Sequence, residues 1–307
     1  MNEVILQTNQ LSKKFQGGVA LDKVNLTIRK GAIYGFIGQN GAGKSTLMRI
    51  ITGLAFPTGG TVELFGAGDE KSLTRARKRM GLIIESPALF PHMTAGENLE
   101  VNRLLRGIPG KDSVVRMLEL VGLQDTGRKK VKNFSLGMKQ RLGLAIAMLS
   151  DPEFLILDEP TNGLDPMSVI EMRELLKQLN HERGLTILIS SHVLSELHLL
   201  ASHYGIIHQG KLLEQLTARE LNDKCQQYLF IKSDNPDKAV TVIQNELNTH
   251  DFEVMPDGAI KLFGRFGQPA EISSALFSAG VQIEQFMPMG EDLESYFMKR
   301  IGGAGNV

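Results

Sequence analysis

A length of 307 residues is too long for one minimal module and too short for a typical multidomain machine, which favours one large domain with a smaller companion. With 42% hydrophobic and 22% charged residues the chain can bury a sizeable core and does not read as disordered. Thirty-four basic residues balance thirty-four acidic ones, so no global charge recruits a phosphate polymer and no nucleic acid partner is expected.

In chain order, Val4 to Phe15 and Leu21 to Ile28 alternate apolar and polar residues around a Gly17-Gly18 turn, as half-exposed antiparallel strands do. From Ala32 to Ile37 the run becomes continuously apolar and ends in a glycine-rich loop. Leu47, Ile50, Ile51 and Leu54 then follow helical spacing: strand, loop, helix. Continuous runs at Phe154 to Leu157 and Leu185 to Ile189 suit parallel strands covered on both faces. Between them, about Thr74 to Leu149, the stripes Val114, Leu118, Val121 and Leu142, Ile146, Leu149 predict a helical insertion. Its most apolar stretch, Leu142 to Leu149, is interrupted by Gly143 and falls short of the roughly 20 residues a membrane crossing needs, so any membrane role runs through a partner. A hairpin of Tyr204 to His208 and Lys211 to Gln215 about Gln209-Gly210 closes the first domain, residues 1–216.

Residues 217–307 carry shorter elements in the order βαββαβ, ferredoxin-like in outline: Tyr228 to Lys232, a helix from Pro236 to Leu247, Phe252 to Met255, Ala259 to Phe263, a helix from Pro269 to Ala279 stopped by Gly280, and Val281 to Phe286. A last helix from Glu291 to Arg300 sets Leu293, Tyr296 and Phe297 on one face, for docking rather than chemistry. The single cysteine, Cys225, cannot form an intramolecular disulfide, and with no signal-peptide pattern it points to a reducing, cytoplasmic setting.

Chemistry concentrates in two motifs. Gly38-Gln39-Asn40-Gly41-Ala42-Gly43-Lys44-Ser45-Thr46 fits the phosphate-binding pattern and stands where that chemistry needs it, between a strand and a helix. Glycines let backbone NH groups converge on phosphates and the helix amino terminus adds partial positive charge. Lys44 neutralises the β and γ phosphates, and the Ser45 hydroxyl is a magnesium ligand. Phe154 to Glu159 is an apolar strand that delivers two adjacent carboxylates. Neighbours on a strand point to opposite sides, so Asp158 is assigned to the magnesium shell and Glu159 to polarising the attacking water.

A signature-like segment, Phe134-Ser135-Leu136-Gly137-Met138-Lys139-Gln140-Arg141, lies upstream of that strand, and with it the first domain resembles the nucleotide-binding domain of ABC transporters. The resemblance implies an α/β fold with an antiparallel β subdomain, a parallel core sheet and a helical subdomain, ahead of the small α+β domain. It implies that Ser135, Gly137 and Met138 reach the γ phosphate of ATP held by a second copy, and that Asn162-Gly163-Leu164-Asp165 lies along the dimer seam with Asp165 near the nucleotide. His192 resembles the switch histidine at the γ phosphate, and Phe15 the aromatic residue that stacks on adenine. ATP and Mg2+ are the implied ligands.

Two departures narrow the resemblance. FSLGM stands where most of these domains carry LSGGQ, and Glu85 stands in Gly81 to Pro87 where most carry glutamine. With Glu85-Ser86-Pro87-Ala88 and Leu293 to Phe297, these features are similar to bacitracin-resistance and lantibiotic-immunity ATPase subunits. Glu85 is then expected near magnesium, relaying nucleotide state to the membrane partner. The expected function is an ATPase subunit at the inner face of the membrane that powers a polytopic permease, exporting a peptide antibiotic or similar amphipathic compound, with Pro91 to Leu99 in the region that grips the permease. A soluble ABC ATPase acting on ribosomes or DNA is the alternative. It is disfavoured by one motif set and a compact gap between Lys44 and Ser135. A module that has lost hydrolysis is disfavoured by the intact set Lys44, Ser45, Asp158, Glu159 and His192.

Overall fold

The computed structural model of the chain describes residues 3–263, 268–290 and 292–303, and the fold divides after Ala218 into two units. In the first unit β1 (Val4–Phe15) turns into β2 (Gly18–Val24), and a short β3 (Thr27–Arg29) follows. The expected single strand from Leu21 to Ile28 is therefore two. β1 changes partner there, pairing Leu11 with Val24 on β2 and Gln7 with Thr27 on β3. The Thr8 hydroxyl fills the gap, donating to Val24 O at 2.9 Å and accepting from Leu26 N at 2.9 Å.

β4 (Ile33–Ile37) is buried at every position and runs into α1 (Lys44–Ile51). β5 (Gly59–Leu64) returns to pair with β1, and α2 (Glu70–Arg77), capped by Asp69, precedes β6 (Met80–Ile83). The helical insertion expected from Thr74 thus begins later, at α3 (Ala95–Leu105), and continues through α4 (Asp112–Leu120) and α5 (Leu136–Met148). β6 escapes a pattern search because it is four residues long and follows the basic run Arg77-Lys78-Arg79. α3 begins with a reciprocal cap, Thr94 Oγ1 accepting from Glu97 N at 3.1 Å and Glu97 Oε2 from Thr94 N at 2.6 Å.

β7 (Phe154–Asp158), α6 (Pro166–Arg183), β8 (Thr186–Ser191), α7 (Leu194–His198), β9 (His203–His208) and β10 (Lys211–Thr217) complete the unit. Six strands form one sheet in the order β10-β9-β4-β8-β7-β6, parallel throughout except at β9–β10. Strand alternation splits its side chains between two faces: Phe36, Phe154, Ile156 and Leu188 join Leu47, Met48 and Ile51 of α1, Leu6 and Ile28 of the antiparallel strands, and Leu26 between β2 and β3 in one core. Both sheet faces are covered, which is why β4, β7 and β8 read as continuous apolar runs.

After α8 (Ala218–Cys225), the second unit runs β11 (Tyr228–Ser233), α9 (Pro236–Asn245), β12 (Phe252–Val254), β13 (Ile260–Leu262), α10 (Pro269–Ser278), β14 (Ile283–Met289) and α11 (Leu293–Gly303). The sheet is antiparallel in the order β12-β13-β11-β14, the ferredoxin-like arrangement. Leu229 and Ile231 of β11, Ala239 and Ile243 of α9 and Ile272 and Leu276 of α10 form its core. Gly280, at φ +72°, follows α10 in the left-handed conformation expected of a terminator. Glu291, the expected start of the last helix, lies outside the described residues; Tyr296, Phe297 and Ile301 of α11 are buried.

Ile156 is wholly enclosed in the first core, so Ile156→Ala removes packed methylenes from the sheet that carries the site. A stability loss of about 3 kcal/mol is expected, checked by urea unfolding followed by far-ultraviolet circular dichroism.

Candidate active site

Gly38 to Gly43 leave β4 in the middle of the parallel sheet and turn back into α1, pointing the first-turn NH groups of the helix into the bend. Two glycines are there because nothing larger fits. A Cβ on Gly38 would lie 2.6 Å from Ile207 O, and one on Gly43, at φ +110°, would lie 2.6 Å from Ala20 O. The β9–β10 hairpin braces the loop from behind: Gly210 N donates to Ala42 O at 2.9 Å, and Gly210 O accepts from Asp22 N at 2.9 Å. In front is an open cavity of about 160 Å³ lined by Ala20, Gln39, Asn40, Gly41, Gly43, Lys44, Ser45, Thr46 and Glu159.

The Lys44 ammonium is buried in this bend. It donates to Gly38 O at 2.6 Å and Gln39 O at 3.3 Å, and its charge is met by Glu159 Oε1 at 3.1 Å. The other Glu159 oxygen lies 2.5 Å from His192 Nδ1. Lysine, carboxylate and imidazole therefore form one line across the cavity mouth, drawn from α1, the end of β7 and the end of β8.

Asp158 and Glu159 part as strand geometry requires. Asp158, the last residue of β7, accepts from Ser190 Oγ at 2.6 Å, and the same hydroxyl accepts from Glu159 N at 2.9 Å. Glu159 itself is left-handed, at φ +49°, a conformation unusual for a side chain of that size and one that turns its carboxylate back over the loop. Ser190 is buried and pairs with Asp158 across adjacent parallel strands. The sequence set it at the end of the strand before His192, and nothing in the motifs gave it a role.

The remaining candidates are elsewhere. Ser135 caps α5, accepting from Met138 N at 3.2 Å, and is exposed. Gly137 is buried against α6, where a Cβ would meet Ser168 Oγ at 2.6 Å. Asp165 caps α6, accepting from Ser168 N at 3.0 Å and Ser168 Oγ at 2.7 Å, and those bonds hold its carboxyl below the usual carboxylate range. Ser135, Gly137, Met138 and Asp165 thus gather in a second cluster, and none of them lines the Lys44 cavity. Phe15 ends β1, largely exposed, with Lys13 Nζ 5.0 Å from its ring centre.

Of the three candidate metal ligands, Ser45 lines the cavity and Asp158 stands beside Glu159 at its edge. Glu85 is instead ion-paired with Arg49 of α1, is exposed, and holds a left-handed backbone at φ +66°. Among the described residues no three His, Cys, Asp or Glu side chains gather to hold a metal by themselves. One hydroxyl with one carboxylate suits Mg2+, which keeps waters and takes its other ligands from phosphate oxygens.

A groove of about 900 Å³ opens elsewhere on the first unit, where Leu82 of β6, Leu105, Ile108 and Pro109 present apolar surface beside Lys78, Arg106 and Arg116. Among the described residues no helix is long and apolar enough to cross a membrane.

The family model described as ABC transporter matches residues 21–162. Over 97% of the chain and 98% of the relative, the sequence is 43% identical to the bacitracin transport ATP-binding protein BcrA of Bacillus licheniformis. Over 68% of the chain and 89% of the relative, it is 43% identical to the lantibiotic transport ATP-binding protein SrtF of Streptococcus pyogenes. Among solved structures, the dimeric post-hydrolysis state of the ATP-binding cassette MJ0796 bound to ADP and Pi superimposes with a TM-score of 0.63 at 26% identity, covering 70% of this chain and 99% of that one.

Gly43→Ala places a methyl group against Ala20 O in a backbone conformation that costs an L-residue about 1–3 kcal/mol. Equilibrium titration with a fluorescent ATP analogue is expected to show affinity reduced by about 10-fold or more.

Proposed function

The chain belongs to the ATP-binding proteins of ABC transporters, and from that membership we propose that two copies close around ATP to drive a separate membrane permease that exports a peptide antibiotic or similar amphipathic compound. ATP hydrolysis is the family's reaction, and the chain is an ATPase. The single observation that carries the mechanism is the Lys44–Glu159–His192 line across the glycine loop.

The triphosphate enters the bend between Gly38 and Thr46, where NH groups and the α1 terminus meet its oxygens. Lys44 exchanges Glu159 for the β and γ phosphates, since an ammonium between a dianionic phosphoryl group and a carboxylate follows the larger charge. Glu159, released from the lysine and still held by His192, turns to the attacking water and accepts its proton as the γ phosphoryl departs in line. Ser190 keeps the Glu159 backbone fixed while its side chain turns. Ser45 and Asp158 would hold Mg2+, which would supply charge neutralisation to the phosphates.

Closure on a second copy is supported by what one copy lacks. The cavity of about 160 Å³ is smaller than the ≈300–1,000 Å³ of pockets that bury a ligand of drug size. The Ser135 cap, a helix amino terminus suited to phosphate, lies in another cluster. A partner's Ser135, Gly137, Met138 and Asp165 would complete the cradle, with Phe15 under the adenine. The MJ0796 relative is described as a dimer.

The permease reading rests on the relatives, whose names specify bacitracin transport and lantibiotic transport. The groove at Leu82 and Leu105, lined also by Lys78, Arg106, Arg116 and Asp151, supports a second docking surface for the permease besides the expected Pro91 to Leu99 region. In this reading the subunit works at the cytoplasmic face of the membrane, held there by the permease. Glu85 relays nucleotide state across the same region, changing between Arg49 and the metal-bearing site.

Lys44→Ala is expected to abolish ATP turnover in a coupled-enzyme assay; persistent turnover would refute the site. Glu159→Gln is expected to accumulate an ATP-bound dimer, doubling the mass seen by light scattering after size exclusion. Co-purification with the permease, followed by ATPase assays with and without bacitracin, tests the coupling: stimulation is expected, reduced by Glu85→Gln.

A further inference from the structure

Beyond the end of the parallel sheet, two chain segments leave side by side. One runs from Glu159 through Pro160 and Thr161 into the proposed seam loop, Asn162 to Asp165. The other runs from Ser191 through His192 into α7. Inside the sheet they are tied by strand pairing and by Ser190, which bonds both Asp158 and Glu159. Outside it no ladder continues, yet His192 has to remain on Glu159.

A second tie lies there. Thr161 Oγ1 donates to Glu196 Oε2 at 2.7 Å, with both residues half-buried. Glu196 sits in the first turn of α7, four residues after His192, and α7 has no side-chain hydrogen bond at its amino-terminal cap. This small helix is held by its apolar seat, Leu194 and Leu197, by Ser191 Oγ, which accepts from Val193 N at 2.9 Å, and by the Thr161 bond. The bond borders a narrow space shared by Val169, Arg173 and Leu176 of α6 and Ile189 of β8, where a half-buried carboxylate gains from a fixed donor. On the other side, Thr161 O accepts from Leu164 N at 3.1 Å, so the residue that grips α7 also shapes the turn leading to Asp165.

We infer that Glu196 and Thr161 are positioning residues for hydrolysis: their hydrogen bond holds α7, and with it His192, in register with Glu159, and transmits displacement of the 162–165 loop to the histidine. Seam closure then changes the His192–Glu159 contact mechanically, without a further ligand. The inference rests on the proposed reading of Glu159 and His192 as the hydrolytic pair.

The test is a double-mutant cycle on steady-state ATP hydrolysis by the full chain. Thr161→Val removes the hydroxyl at constant volume, Glu196→Ala removes the acceptor, and Thr161→Ser and Glu196→Gln retain a donor and an acceptor. Each disrupting variant is expected to lower kcat about 10-fold, as loss of one hydrogen bond to a charged group allows. KM for ATP, affinity for a fluorescent ATP analogue and thermal midpoint are expected to stay within about 2-fold or a few degrees. The double variant is expected to be no slower than either single one, with turnover recovered in the conservative pair. Additive losses, a Thr161→Ser variant as slow as Thr161→Val, or a loss of kcat that tracks a fall in thermal midpoint would overturn the inference. Glu159→Gln, run in parallel, separates the two readings: unaltered turnover in that variant would defeat the hydrolytic pair itself.

Discussion

An ammonium buried beneath a loop of glycines has to be compensated, and the way Lys44 is compensated organises the whole first unit. Two carbonyls of its own loop and the Glu159 carboxylate surround it, so the loop, the end of β7 and, through His192, the end of β8 are locked together before any nucleotide arrives. The arrangement is self-consistent only while Lys44 has an anion beside it. In the proposed mechanism phosphate replaces the carboxylate beside Lys44, and the exchange leaves Glu159 free to act at the γ position. The parallel sheet supplies the alignment, since β4, β8 and β7 are neighbours and end at the same level.

The residues proposed to contact phosphate were legible because their chemistry permits little substitution. A loop needing close backbone approach must be glycine, a buried cation must be Lys44, and a strand ending in two carboxylates stands out against Phe154 to Leu157. The parallel strands were legible for a related reason, burial on both faces leaving an uninterrupted apolar run. β6 was not, because a strand of four residues after a basic run carries too little period to distinguish it from the helices that follow. β5 was missed for its composition, Gly59-Gly60-Thr61, half of it resembling a turn.

Ser190, Arg49, Thr161 and Glu196 were invisible for another reason. Each acts through hydrogen bonds or an ion pair across the fold, between positions 31 to 36 residues apart. No local spacing encodes such a contact. Glu85 shows the same limit from the other side: its identity marked the segment as unusual, whereas its pairing with Arg49 and its left-handed backbone came only from the folded chain. In the second unit, by contrast, short strands and Gly280 sufficed to convey the βαββαβ order, because each element there is bounded by local turn chemistry.

The hairpin behind the phosphate loop has a consequence for biosynthesis. Gly38 is seated on Ile207, and Ala42 is bonded to Gly210, so a loop at the beginning of the chain reaches its working shape only after some 170 further residues have been made. A ribosome-bound chain that has not yet exposed β9 and β10 holds every residue of the motif and no cradle. The brace behind the phosphate loop therefore forms only once the whole first unit has been made.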